Sequence, residues 1–83
     1  MNDQRQKMDR LFIIIAAFNE EKMISNVLKE LTPKYKNVVV VDDGSADKTF
    51  ETANKHEVTV LKHIVNLGKG AALKTGCEYA VNK

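Results

Sequence analysis

The sequence predicts an α/β fold of order βαβαβα, a three-layer, Rossmann-like arrangement around a parallel sheet of strand order 3-2-1. Three observations carry this. Two apolar runs rich in β-branched residues, Leu11 to Ala17 and Val38 to Val41, show no polar alternation, as strands buried on both faces do. After the first of them, apolar residues recur at helical spacing. The joints gather Asn, Asp, Gly and Ser, the residues of turns and helix starts. Strands alternating with helices imply right-handed crossovers, and strand starts at 11, 38 and 58 are too uneven for an internal repeat.

In order along the chain, Met1 to Arg10 reads as a disordered polar leader and Leu11 to Lys83 as one domain. Leu11 to Ala17 is the first strand. Asn19 is placed to cap a helix, Glu20 and Glu21 suit its positive first turn, and Met23, Ile24, Val27, Leu28 and Leu31 form its apolar stripe until Pro33. Val38 to Val41 is the second strand, closed by Asp42-Asp43-Gly44-Ser45. Asp47 is placed to cap a short helix of roughly Lys48 to Lys55, with Phe50 and Ala53 inward. Val58 to Leu61 supplies the third strand. Asn66 to Gly70 then leads into a helix whose stripe is Leu73, Cys77, Ala80 and Val81.

The 83 residues carry 13 Lys and Arg against 11 Asp and Glu, a net charge of +2, too weak a balance to suggest nucleic acid as a partner. A chain this size buries only about 60% of its unfolded surface, near the lower limit for a core without staples. Cys77 is the only cysteine, and with only His56 and His63 to join it there is no disulfide framework and no metal-ligand spacing. The run from Leu11 to Phe18 is far shorter than the about 20 residues of a membrane span. It follows Arg5, Lys7 and Arg10 as a secretory signal would, with Ala16 and Ala17 as the small residues. It also runs straight into a helix start, so a cytoplasmic location is expected.

Ligands of open α/β sheets bind outside the carboxyl ends of the strands, and all three predicted strand ends carry unusual residues. At the first, Ala16 and Ala17 let a ligand approach the backbone and Phe18 offers a ring for stacking. At the second, Asp42, Asp43 and Asp47 put three carboxylates within six residues; one is explained as a helix cap, but adjacent acids closing a valine run point to a site. At the third, Gly68-Lys69-Gly70 precedes a helix N-terminus, which suits an anion, so that Asp43 and Lys69 would face one polar ligand. The segment is not a P-loop, nor a Gly-x-Gly-x-x-Gly fingerprint, since Leu73 stands where the third glycine belongs. His56 and His63 read as surface polar residues without a nucleophile partner, and Cys77 as a core residue.

With Ile14-Ile15-Ala16-Ala17-Phe18-Asn19-Glu20-Glu21, Val40-Val41-Asp42-Asp43-Gly44-Ser45-Ala46-Asp47-Lys48-Thr49 and Asn66-Leu67-Gly68-Lys69-Gly70-Ala71-Ala72-Leu73 in this order, the chain resembles the family 2 glycosyltransferases, in particular the dolichol- or polyprenyl-phosphate mannosyl- and glucosyltransferases. Each motif alone is unspecific; the three together are not. The sequence departs from the family pattern at Ala16, usually proline, and at Phe18, more often tyrosine, and a backbone contact and a ring stack survive both. The resemblance implies the nucleotide-binding half of a GT-A fold taking a UDP- or GDP-sugar. Ala16, Ala17 and Phe18 would line the base pocket and Glu20 would lie near the nucleoside. Asp43 would accept the base N–H, Asp42 would support the loop or ribose, and Lys69 would sit near the base or phosphates.

The family's Asp-x-Asp metal motif and catalytic base lie beyond the equivalent of Lys83. The chain is therefore expected to be a truncated GT-A domain, inactive alone and without a metal, although the full-length parent would use Mg²⁺ or Mn²⁺ and a membrane-lipid acceptor. In such folds strand one lies inside the sheet; here it becomes an apolar edge, which predicts a homodimer through that edge. A non-catalytic nucleotide-binding module would keep the same base pocket. A receiver-type signalling domain is disfavoured, because it places its acid pair after the first strand rather than the second.

Overall fold

The computed structural model describes residues 11–83, so the predicted leader, 1–10, lies outside the described residues. The order is β1 (Phe12–Ala17), α1 (Ile24–Leu31), β2 (Asn37–Asp43), α2 (Thr49–Ala53), β3 (Thr59–His63) and α3 (Lys69–Val81). The sheet is parallel throughout with β2 in the centre, the predicted 3-2-1 order. Val38, Val39, Val40 and Val41 are buried to 2% exposure or less because β2 has a strand on each side and helices on both faces. Alternation along β2 divides the core in two. Val38 and Val40 pack with Ala17, Ile24, Leu28 and Ala53 on the α1–α2 face, and Val39 and Val41 pack with Ala72 on the α3 face. Among the described residues no helix is long and apolar enough to cross a membrane.

The register sets the chemistry that follows. Ala17 pairs with Asp42, and Asp43 with His63, so the three strands end at one level and present those residues together. By the same alternation, Asp42 leaves β2 on the α1–α2 face and Asp43 on the α3 face.

Four local expectations are revised. Asn19 does not cap α1; its φ is +54°, a left-handed turn that asparagine tolerates, and its side chain accepts a hydrogen bond from the Ala46 N–H at 2.9 Å. The helix accordingly starts at Ile24, after a turn in which the Met23 and Ile24 N–H groups share the Glu20 carbonyl at 3.0 and 2.8 Å. Asp47 serves α2 from one residue further out than an N-cap, accepting from the Thr49 N–H at 2.9 Å. β3 begins at Thr59 and runs on to His63, two residues past the apolar run.

The face of α3 is also revised. Its buried residues are Ala72 and Gly76, while Cys77 is exposed and Val81 is 83% exposed. The cause is close packing, since a Cβ on Gly76 would lie 2.4 Å from Ile14 Cγ2 and 3.2 Å from Val41 Cγ2. The helix rests on the sheet most closely through its smallest side chains, with Tyr79 packed half-buried against the same cluster and Cys77 and Val81 turned to solvent.

Candidate functional site

Six of the seven predicted site residues, Ala16, Ala17, Phe18, Glu20, Asp43 and Lys69, line one cleft of about 580 Å³ at the carboxyl ends of the strands, completed by Asn66 and Gly68. A second cleft of about 470 Å³ opens at the amino ends of the strands, among Lys36, Glu57, Tyr79 and Lys83. The crossover connections place the loops that build ligand sites at the carboxyl ends, which singles out the first cleft. There the methyl side chains of Ala16 and Ala17 leave the backbone approachable, and Phe18 is 46% exposed at the end of β1.

Asp43 is the best-held group of the cleft. Its Oδ1 accepts from the Leu67 N–H at 2.9 Å and lies 2.8 Å from His63 Nδ1, and its Oδ2 accepts from the Gly68 N–H at 2.8 Å. The anion at the start of α3 is thus the Asp43 carboxylate itself, where the sequence suggests that of a ligand. The hydrogen bond from His63 is the largest influence holding Asp43 below the ordinary carboxylate range. The Leu67 N–H adds to it, burial opposes it, and the Gly68 N–H and the His63 charge contribute further. Asn66 Nδ2 donates to the Asp43 carbonyl at 3.2 Å, closing the β3–α3 loop over the end of β2. That closure needs Gly44, whose φ is +74° and where a Cβ would lie 2.4 Å from the Val65 carbonyl carbon.

Asp42 stands apart from the cleft. It is 1% exposed, and its Oδ1 accepts from the Ser45 hydroxyl and, at 3.3 Å, from the Ser45 N–H. Ser45 Oγ in turn receives the Asn19 N–H at 2.8 Å. A second relay runs parallel to the first: the Glu20 N–H donates to Thr49 Oγ1 at 2.8 Å, and the Thr49 hydroxyl donates to Asp47 Oδ1. Asp47 Oδ2 also takes the Glu21 N–H at 3.2 Å, and the Lys48 N–H reaches Glu21 Oε1 at 3.3 Å. The hydroxyl of Thr49 is the main influence lowering the Asp47 carboxyl below its ordinary range. Asp42 and Asp47 therefore tie the β1–α1 loop to the β2–α2 loop and fix the wall that carries Phe18 and Glu20.

The three carboxylates that the sequence puts within six residues diverge onto Ser45, onto His63 with the Leu67 and Gly68 amides, and onto Thr49. Among the described residues no group of three or more His, Cys, Asp or Glu side chains is placed to hold a metal. The divalent ion implied by the resemblance for the full-length parent finds no ligand set in these residues.

Sequence reasoning missed His63 and Thr75. His63 Nε2 lies 2.8 Å from Thr75 Oγ1, and the imidazole is 11% exposed, between β3 and α3. The available signal was the parallel register, which sets the residue ending strand three beside the one ending strand two. Ser45 and Thr49 were missed as well, because serine and threonine after a turn have many local uses.

Residues 12–83 match glycosyl transferase family 2. An uncharacterised protein of Methanocaldococcus jannaschii is 55% identical over 74 residues, covering 88% of this chain and 30% of that protein. A UDP-N-acetylglucosamine–dolichyl-phosphate N-acetylglucosaminyltransferase of Methanococcus voltae is 36% identical over 88 residues, covering 84% and 35%. A dolichyl-phosphate beta-glucosyltransferase of Trichomonas vaginalis is 34% identical over 83 residues, covering 81% and 26%. The chain spans about a third of the length of these relatives.

Proposed function

Since the chain belongs to glycosyl transferase family 2, we propose that its cleft holds the nucleotide of a UDP- or GDP-sugar, as the donor-binding part of a transferase that passes the sugar to a polyprenyl phosphate. The observation that carries this is the state of Asp43. An ionised carboxylate offers about four acceptor sites and no donor. Three are taken by His63, Leu67 and Gly68, which leaves one acceptor site, on Oδ2, of a residue that lines the cleft. Uracil presents its ring N3–H and guanine its N1–H with the exocyclic amine, whereas neutral cytosine and adenine have no ring N–H on their pairing edge.

The other residues divide the work. Phe18 stacks on the base, Ala16 and Ala17 admit it to the backbone, and Glu20 lies toward the nucleoside. Lys69, exposed at the start of α3, meets the diphosphate as a mobile point charge. Asp42 acts from behind the wall through Ser45. The polyprenyl-phosphate acceptor is supported by the dolichyl-phosphate substrates in the names of two relatives.

Titrating UDP, GDP, CDP and ADP into the chain, followed by amide chemical shifts, tests the assignment. UDP or GDP should bind best, and Asp43→Asn should weaken that binding roughly ten-fold or more while leaving CDP and ADP little changed. Equal affinity for all four, or an Asp43→Asn variant that binds as wild type does, would refute it.

A further inference from the structure

We propose that His63 is a positioning residue for base recognition: seated against Thr75 and donating its Nδ1–H, it locks the Asp43 carboxylate so that only Oδ2 faces the ligand. This rests on Asp43 as the base reader. The geometry requires a proton on Nδ1. Asp43 in its ionised form can only accept, so the 2.8 Å contact at His63 Nδ1 needs a proton on that nitrogen. On the other side of the ring, Nε2 lies 2.8 Å from the Thr75 hydroxyl, which can donate or accept and so seats the ring in either case. The contacts from Thr75 through the ring to Asp43 use both ring nitrogens, and the carboxylate at one end fixes the proton on Nδ1.

The remaining donors to Asp43 come from a different kind of support. Leu67 and Gly68 belong to the loop after β3, where Ile64 is 95% exposed and Val65 and Leu67 are each 59% exposed. His63 is instead the last residue of β3, in register with Asp43, and Thr75 lies within α3. The carboxylate is thereby anchored from two regular elements as well as from a loop, and sites supported from rigid elements hold their geometry more closely. With Oδ1 filled by His63 and Leu67, a ligand N–H finds its acceptor on Oδ2. Without the ring, Oδ1 would keep the Leu67 N–H but lose its second donor, and the acceptor site so opened would compete for water or for the base.

The ring ¹⁵N shifts of His63 in the uniformly labelled chain at neutral pH provide the first test, and they need no nucleotide. A proton on Nδ1 is expected; a ring protonated on Nε2 alone would overturn the proposal. Binding provides the second. His63→Leu should lower affinity for UDP or GDP roughly ten-fold and narrow its margin over CDP and ADP. His63→Asn, whose amide N–H takes the place of Nδ1–H, should restore the margin, and Thr75→Val should narrow it by a smaller factor. A leucine variant that discriminates as wild type does, or one that loses all four nucleotides equally, contradicts a positioning role. If His63→Leu does not fold, the Asn and Thr75→Val variants decide between the same outcomes. Should the wild-type chain bind none of the four, the base-reader assignment fails, and the proposed role fails with it whichever tautomer is found.

Discussion

Glu20 and Thr49, 29 residues apart, are joined by a hydrogen bond of 2.8 Å from the Glu20 N–H to the Thr49 hydroxyl, and Thr49 is fully buried. The bond makes the turn before α1 and the first residue of α2 into one unit. Thr49→Val keeps the shape but removes the acceptor for Glu20 and the hydroxyl donor to Asp47. It is expected to cost about 1–2 kcal/mol. Thr49→Ser keeps the hydroxyl and loses one methyl, about 0.8 kcal/mol. Urea unfolding should show a lower midpoint for valine than for serine with the slope unchanged.

Gly76 and Gly70 lie in the same helix and should respond oppositely to alanine. At Gly70 an added Cβ meets nothing within 4 Å, so Gly70→Ala should stabilise by roughly 0.5–1 kcal/mol through helix propensity. At Gly76 the new methyl would lie 2.4 Å from Ile14 Cγ2, which is fixed on a β-branched side chain. Gly76→Ala should therefore destabilise by about 1–3 kcal/mol. Combining it with Ile14→Ala should give a loss smaller than the sum of the two single losses, as a double-mutant cycle would report.

The fold was legible because its two signals are local. The valine run and the isoleucine run mark buried parallel strands wherever they occur, and the turn residues between them fix the order. Much of the cleft was legible too, since Ala16, Phe18, Asp43 and Lys69 each follow or close a strand, and a parallel sheet brings its strand ends together. What sequence could not show was which partner each acid takes. Asp42 turns to Ser45 three residues away, whereas Asp43, its neighbour, turns to His63, 20 residues on, because alternation sends them to opposite faces. Cys77 was misplaced for a related reason: helical periodicity finds the most apolar stripe, but the sheet selected the narrowest one, Ala72 and Gly76.

β1 pairs with β2 along one side, and among the described residues no strand pairs with its other side. The apolar residues of this strand carry no charge or proline to discourage pairing, so the open edge is expected to recruit a second copy of the chain. Light scattering across a dilution series should show a mass that rises with concentration, and the outward-facing amides of β1 should exchange more slowly as it does. A constant monomer mass at high concentration would contradict this.

Acid should weaken the fold through Asp43 and Asp47. Both carboxyls are held below their ordinary range, Asp43 first by the His63 hydrogen bond and Asp47 first by the Thr49 hydroxyl. The unfolded chain, with carboxyls near about 3.9, takes up these protons before the folded chain does. Stability from this source is therefore complete above about pH 4–5 and is lost as pH falls through the lower folded values. Asp43→Asn removes one such group, so it should be less stable than wild type at neutral pH, and the gap should shrink as pH falls below about 4. Thr49→Val should flatten the acid limb in the same way, because Asp47 loses its main stabilising donor while keeping its backbone N–H contacts. Denaturant midpoints of the three proteins across an acid series measure this directly. Parallel curves, with each gap constant from neutral to acid pH, would mean that neither carboxylate contributes through its charge.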